Sequence, residues 1–373
     1  MKRDNLPLLK IVGCGQMNMN TKKVDVLIIG GGFAGVSAAQ ALEKQGIETL
    51  LVDKKDYFEV TFATLRNVAA PEVTRDDARK QYESFLTGSF IQSGVAELND
   101  SVATLENGSS IEFKMAIIAS GTRYPTMPLA KPINALDLDT RNSEMLGYHD
   151  QIKSANKILI IGGGVVGVEL AGEVAYRFPE KQTVLAHSSD ALLDGFKKKT
   201  QRLTLKQLEA LGVNVEFDTR YANVDDAYID ANTGKTSDAD VVFQAVGTRP
   251  NSEFLKPFMA HILDEKGFVK VNDKLEVIGQ NNLYALGDVA DVGEAKLGYL
   301  AQQQGEYVAK SISKKLKNKK VKGYKRNPLV ALIPTGQKSG VTETPIVVTA
   351  FKPLINMKQK DLFISKIYTA FEA

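Results

Sequence analysis

Apolar and polar positions along the chain follow two alternating patterns. Continuous runs of apolar, largely β-branched residues stand at 24–29, 48–52, 157–161 and 183–187. They are too unbroken for a strand with one wet face, and they predict strands buried on both faces of a parallel sheet. Two of them, at 24–29 and 157–161, lead into glycine clusters and then into alanine-rich stretches with helical spacing, the first running to about residue 45. Helical spacing recurs at 75–86 and 192–211. FIQSGVAELND and SVATLENGSSIEF alternate instead, which predicts a β-meander with Asn107-Gly108 as a hairpin turn. The buried strand in MAIIASGTRYP is echoed by ADVVFQAVGTRPN in the second half, after VNVEF resumes the sheet. LVALIP and TPIVVTAF predict two or three further strands. This alternation predicts an α/β protein built from two Rossmann-like units with β-meanders, plus a small C-terminal region.

The glycine clusters give that plan its chemistry. The first reads GGGFAG (Gly30, Gly31, Gly32, Phe33, Ala34, Gly35) and the second GGGVVG, with Gly162, Gly164 and Gly167. In such a turn the first glycine permits the tight bend and the second lets backbone approach a pyrophosphate. The third lets the helix pack closely on the sheet. The pyrophosphate then meets free N–H groups at a helix N-terminus. One such cluster is a weak signal; two in the same strand–turn–helix context predict a protein holding two dinucleotides. About 20 residues further on, an acid is expected for the ribose hydroxyls. The first copy has Asp53, followed by Lys54; the second has His187 and Ser188 there, and Asp190 comes late.

Composition narrows the reading by exclusion. A net charge of +3 is too small to imply a nucleic-acid binder. The single cysteine, Cys14, rules out an intramolecular disulfide and a cysteine metal site, and three scattered histidines argue against a metal centre. No metal is expected. No apolar run is long enough for a membrane-spanning helix. Residues 1–23 form a basic leader, read as a disordered extension or a weak organelle-targeting segment.

The strand ending in NNLYALGDVAD, with Gly287 and Asp288, returns the chain to its first unit. The expected domains are therefore 24–149 with 268–322 for the first dinucleotide, 150–267 for the second, and 323–373 as a C-terminal region. KKLKNKKVKGYKRNP reads as a solvated helix end and linker, or as a patch attracted to anionic headgroups. The terminal MKQKDLFISKIYTAFEA fits an ordinary amphipathic helix equally well as a lip over an apolar site or a membrane-facing edge.

Taken in order, the two glycine turns, the ASGTR and AVGTRP strand ends and ALGD resemble the flavoproteins with two dinucleotide-binding domains, which carry FAD first and NAD(P)H second. Where their disulfide reductases keep a cysteine pair, this chain has DYFEVTFATLR; thiol chemistry is excluded. That segment, with GVELAGE, FPEKQTVLAHS and the terminal K-x-K-D-L-F, is similar to apoptosis-inducing-factor-like oxidoreductases of the ferroptosis-suppressor type, plant relatives included. The resemblance implies oxidation of NADH or NADPH through FAD, with ubiquinone- or vitamin K-type quinones as acceptors and a radical-trapping hydroquinone as product. Animal members use an N-terminal glycine for lipid anchoring; Lys2 stands there in this chain.

The same resemblance distributes roles. Residues 30–35 would carry the FAD pyrophosphate, with Arg66 near the flavin or its phosphates or else in a surface ion pair. Asp53 and Lys54 would serve the adenosine ribose, Val95 the adenine through its backbone, Gly121 and Gly287 the close-approach turns, and Asp288 the ribityl chain. Gly162, Gly164, Gly167, His187 and Gly247 would line the NAD(P)H site, with Glu169 facing the nicotinamide amide or acting through the helix N-terminus. Tyr299 would sit by the isoalloxazine or in the core. Lys358 would supply a proton to the quinone, and Phe363 would line its pocket. With no acid beside His187 to repel a 2′-phosphate and no arginine to grip it, both NADH and NADPH are expected to serve. Reduction of a small redox protein, or a signalling role for a long-lived reduced complex, stand as alternatives. Location is expected in the cytoplasm or peripherally on an intracellular membrane, organelle targeting by the leader being left open, as monomer or homodimer.

Overall fold

Buried apolar runs occupy the centres of two parallel sheets. The computed structural model describes residues 21–74 and 77–372; the leader with Cys14, and Arg75 and Asp76, lie outside them. In the first sheet the Thr21–Ile29 strand runs parallel to Thr49–Asp53 on one side and Ser110–Ile118 on the other, and Ser89–Gln92 extends it beyond Thr49–Asp53. The nine-residue Ser110–Ile118 strand serves two neighbours along its outer edge. Its first half pairs antiparallel with Val102–Leu105, which continues to Val95–Leu98 as the meander. Its last residues pair parallel with Leu283–Ala285, a strand from beyond the second unit. The second sheet is parallel throughout, ordered Asn214–Glu216, Gln182–Ala186, Lys157–Ile161, Val241–Gln244. The two Rossmann-like units expected from the hydrophobic pattern are thus present. Gly108 turns the predicted hairpin with φ +83°.

The echoing strand ends meet each other. Thr122–Arg123 and Arg249–Pro250 form a short antiparallel ribbon between the units. The C-terminal region begins as a three-stranded antiparallel sheet, Ala331–Pro334, Gly340–Glu343 and Val348–Thr349. Two helices follow, Lys352–Gln359 and Ile364–Glu372. They are joined through Leu362 (φ +52°) and Phe363 (φ +58°), two consecutive left-handed non-glycine residues. That conformation costs about 1–2 kcal/mol per residue, and here it redirects the chain back toward the first unit.

Three expectations are corrected. Residues 79–81 are a strand paired with Tyr57–Glu59 and 82–84 a 3-10 turn, where helical spacing had suggested a helix over 75–86. Ala78, Tyr82 and Phe85 do share a buried face, but Arg79 is drawn into ion pairing with Glu59. The helix expected over 192–211 spans only Lys198–Ala210, because Leu193 (φ +58°) and Gly195 (φ +86°) turn the chain before it. The terminal helix is amphipathic but does not form a lip. Ile367, Tyr368 and Phe371 are buried in the first unit's core against Phe58 and Phe85, and the Gln40 amide donates to the Phe371 carbonyl at 2.5 Å.

Candidate active site

Each glycine turn is built for an anion. Gly30 has φ +103°, and a Cβ there would lie 2.4 Å from the Ala119 carbonyl oxygen; a Cβ on Gly35 would lie 1.9 Å from the Gly30 oxygen. These two glycines close the turn. Gly32 differs: nothing lies within 4 Å of its missing Cβ, and no side chain caps the Phe33–Glu43 helix that follows. The first-turn N–H groups therefore face open space, as a pyrophosphate cradle requires. Gly162, Gly164 and Gly167 repeat the arrangement ahead of the Val165–Arg177 helix, with Gly162 at φ +114° and open space over Gly164. The residues present fit two dinucleotides.

The acid positions follow the same logic. Asp53 accepts from the Gly31 N–H at 2.5 Å and the Lys55 N–H at 2.7 Å. His187 takes the matching place in the second unit, its Nδ1 3.1 Å from the Gly163 N–H. Its Nε2 stands 3.4 Å from Asp194, which also accepts from the Ser189 hydroxyl at 3.0 Å. An acid thus reaches the neighbourhood of His187 from a later turn. Lys54 is spent on a surface pair with Glu106 at 2.6 Å. Val95 starts its strand close to Asp53, because the Ser93 N–H donates to the Asp53 carbonyl at 2.9 Å. Tyr82, not foreseen, donates to the Gly31 carbonyl at 2.8 Å.

Between the units the chain assembles a buried charge belt. Glu169 and Glu173, one turn apart on the Val165–Arg177 helix, share a face. Arg66, on the Thr64–Ala69 helix, forks onto Glu173 (2.7 and 3.1 Å) and also binds the Gln359 carbonyl and side chain. Its guanidinium thereby joins the first unit, the second and the C-terminal region. Lys358 donates to Glu169 at 3.1 Å and to the Leu332 carbonyl at 2.9 Å, with its ammonium 5.5 Å from the Phe62 ring centre. Phe62 in turn stacks on Phe33 at 5.7 Å. Burial pushes the Glu169 carboxyl above its ordinary value, against the pull of the Lys358 ammonium. The structure brings Phe33, Arg66, Glu169 and Lys358 together, although Glu169 and Lys358 are 189 residues apart. Glu173 and Gln359 were missed; the i, i+4 acids in GVELAGE were the available signal for the first.

Asp288 lies across the turn from Gly287 (φ +71°). It accepts from Lys131 at 2.7 Å and from the Thr122 hydroxyl at 3.1 Å. Burial works to raise its carboxyl, but Lys131 outweighs that and holds it below the usual range. Lys131 was not foreseen. Gly121 (φ +69°) and Gly247 (φ +74°) both have open space where a Cβ would be. Tyr299 places its hydroxyl on the linker, accepting from the Val330 N–H and donating to the Pro328 carbonyl, each at 3.2 Å. Phe363 is half-buried at the joint between the last two helices.

Comparison with known proteins agrees with this geometry. The family model described as pyridine nucleotide-disulphide oxidoreductase matches residues 24–305. The chain is 31% identical to Ferroptosis suppressor protein 1 of Xenopus laevis over 358 residues, covering 92% of this chain and 95% of that one. It is 29% identical to Apoptosis-inducing factor homolog A of Dictyostelium discoideum, covering 94% and 92%. Among solved structures, the sulfide:quinone oxidoreductase of Aquifex aeolicus superposes with a TM-score of 0.77 at 16% identity, covering 94% of this chain and 91% of that one. The chain therefore belongs to the pyridine nucleotide-disulphide oxidoreductases, in their apoptosis-inducing-factor-like, ferroptosis-suppressor branch, and is an oxidoreductase that binds FAD and NAD(P)H.

Proposed function

We propose that the chain is an NAD(P)H:quinone oxidoreductase, taking a hydride from NADH or NADPH and delivering two electrons to a ubiquinone- or vitamin K-type quinone to give a radical-trapping hydroquinone. FAD, when bound, accepts the hydride and releases the electrons to the acceptor. Residues 30–35, Asp53 and Asp288 would hold FAD, and Gly162, Gly164, Gly167 and His187 would hold NAD(P)H. The proteins' own part is to orient both and to keep water out of the junction. The hydride brings two electrons and one proton; the hydroquinone needs one proton more.

The observation that supports this reading is the buried Lys358–Glu169 pair. Lys358 carries a proton at a site walled by Phe62 and Leu332, and Glu169 keeps the ammonium charged and aimed. After donating, the amine is recharged from solvent through its partner. Turnover of the yellow protein with NADH, NADPH and a short-chain ubiquinone under low oxygen tests the reading. With Lys358→Met, bleaching of the flavin by NADH without acceptor stays within a few-fold, while reoxidation by quinone falls by roughly 10²–10⁴-fold. Unchanged reoxidation by quinone in that variant would remove Lys358 from the mechanism. Bleaching by NADH without any quinone turnover in the unaltered protein would remove the quinone.

A further inference from the structure

One surface of the C-terminal region has no part in this chemistry. Ile346 is 92% exposed, Met357 61%, Phe351 58%, Val347 49% and Leu354 39%. Single exposed apolar residues are ordinary, but such a concentration within residues 346–357 marks a contact surface. The Lys352–Gln359 helix is two-faced. Leu354 and Met357, three apart, point outward, whereas Ile355 and Lys358 are buried. Ile346 is carried on a tip that is locked in place. The Thr344 N–H donates to the Val347 carbonyl at 2.8 Å, and the Lys197 ammonium clamps the Thr344 and Pro345 carbonyls at 2.7 Å each.

The charge around this patch has one sign. No acid occurs from residue 344 to residue 360. Glu343 is buried and taken up by the Lys197 N–H and the Thr200 hydroxyl. Lys198, Lys199, Lys352 and Lys360 are exposed, and among the described residues none of them has a carboxylate within 4.0 Å. A second copy docked two-fold on the same patch would set these lysines against their own images with no acid to relieve them. An anionic bilayer supplies both requirements at once, acyl chains for the apolar tips and negative headgroups for the ammonium groups. Among the described residues no helix is long and apolar enough to cross a membrane, so the contact is peripheral.

We propose that this face, with Ile346, Phe351 and Met357 as its inserting side chains and Lys198 and Lys352 at the headgroup level, seats the protein on anionic lipid. The inference stands whether or not a quinone is the acceptor, because it is read by binding. The full-length FAD-loaded protein is sedimented with phosphatidylcholine vesicles, with and without phosphatidylserine. The unaltered protein pellets with the phosphatidylserine vesicles, less so as salt rises. Combined Ile346→Ser, Phe351→Ser and Met357→Ser weakens partitioning by at least about tenfold, and Lys198→Glu with Lys352→Glu removes the preference for phosphatidylserine. All variants keep their flavin and their turnover of a water-soluble quinone, since every altered side chain is exposed. Partitioning unchanged by either set overturns the proposal, as does failure of the unaltered protein to pellet. So does a serine variant that turns a dimer into a monomer while still binding vesicles, which would assign the face to a second copy.

Discussion

Gly32 and Gly35 are three residues apart and respond oppositely to a methyl group. At Gly32 an alanine meets no protein atom and has an unstrained backbone (φ −78°), so Gly32→Ala should fold with an unchanged melting temperature yet bind FAD about tenfold more weakly or worse, read by flavin fluorescence. At Gly35 the added carbon collides with the Gly30 oxygen, and Gly35→Ala should lose roughly 1–3 kcal/mol of stability, read by denaturant titration. The second unit offers a matching test of selectivity. Asp194 brings its charge to His187 from seven residues on, near the adenosine ribose end. Asp194→Asn should raise kcat/KM for NADPH relative to NADH; an unchanged ratio would place Asp194 outside the recognition site. Asp53 was legible because a strand fixes its distance from the turn. Asp194 was not, because the left-handed Leu193 and the Gly195 turn that deliver it leave no periodic signature.

Among elements, the small strand Tyr57–Glu59 carries more than its length suggests. Glu59 is buried between Arg79 at 3.1 Å and Arg141 at 3.0 Å, and Arg141 also reaches the Leu129 carbonyl. Burial would raise the Glu59 carboxyl, but Arg141 and Arg79 hold it below its ordinary 4.5. A carboxyl lowered on folding stabilises the fold at pH above 4.5 and loses that contribution as pH falls through the lowered value. Glu59→Gln should therefore cost about 3–5 kcal/mol at neutral pH, leaving two buried cations unpaired. It should also flatten the loss of stability below pH 4.5, measured as unfolding free energy against pH. This hub explains the misread 75–86 segment: local spacing favoured a helix, and a long-range ion pair selected a strand. The main strands and glycine turns were readable because their burial is continuous along the chain. The charge belt was not, since Arg66, Glu173 and Gln359 are joined only by tertiary contact.

At the scale of the molecule, the last helix completes the first unit. Phe371 packs on Phe58 and Phe85, and its carbonyl receives Gln40 from the first helix. Phe371→Ala should cost about 3–5 kcal/mol and should lower flavin retention along with melting temperature, although Phe371 has no part in the proposed cofactor site. An unchanged melting temperature would show that the helix is dispensable. The return of Leu283–Ala285 to the first sheet could be anticipated from ALGD; the return of the terminal helix could not, because its apolar face suited solvent-side and core-side readings equally.

This closure has a consequence for how the protein is made. The core that supports the first glycine turn draws on residues from both ends of the chain, so a ribosome must release nearly all 373 residues before that core can close. At bacterial or eukaryotic elongation speeds of about 5–20 residues per second, the emerging segment with Phe58 and Phe85 waits tens of seconds for Phe371. During translation that apolar surface needs shelter, and capture of FAD is deferred to the end of synthesis.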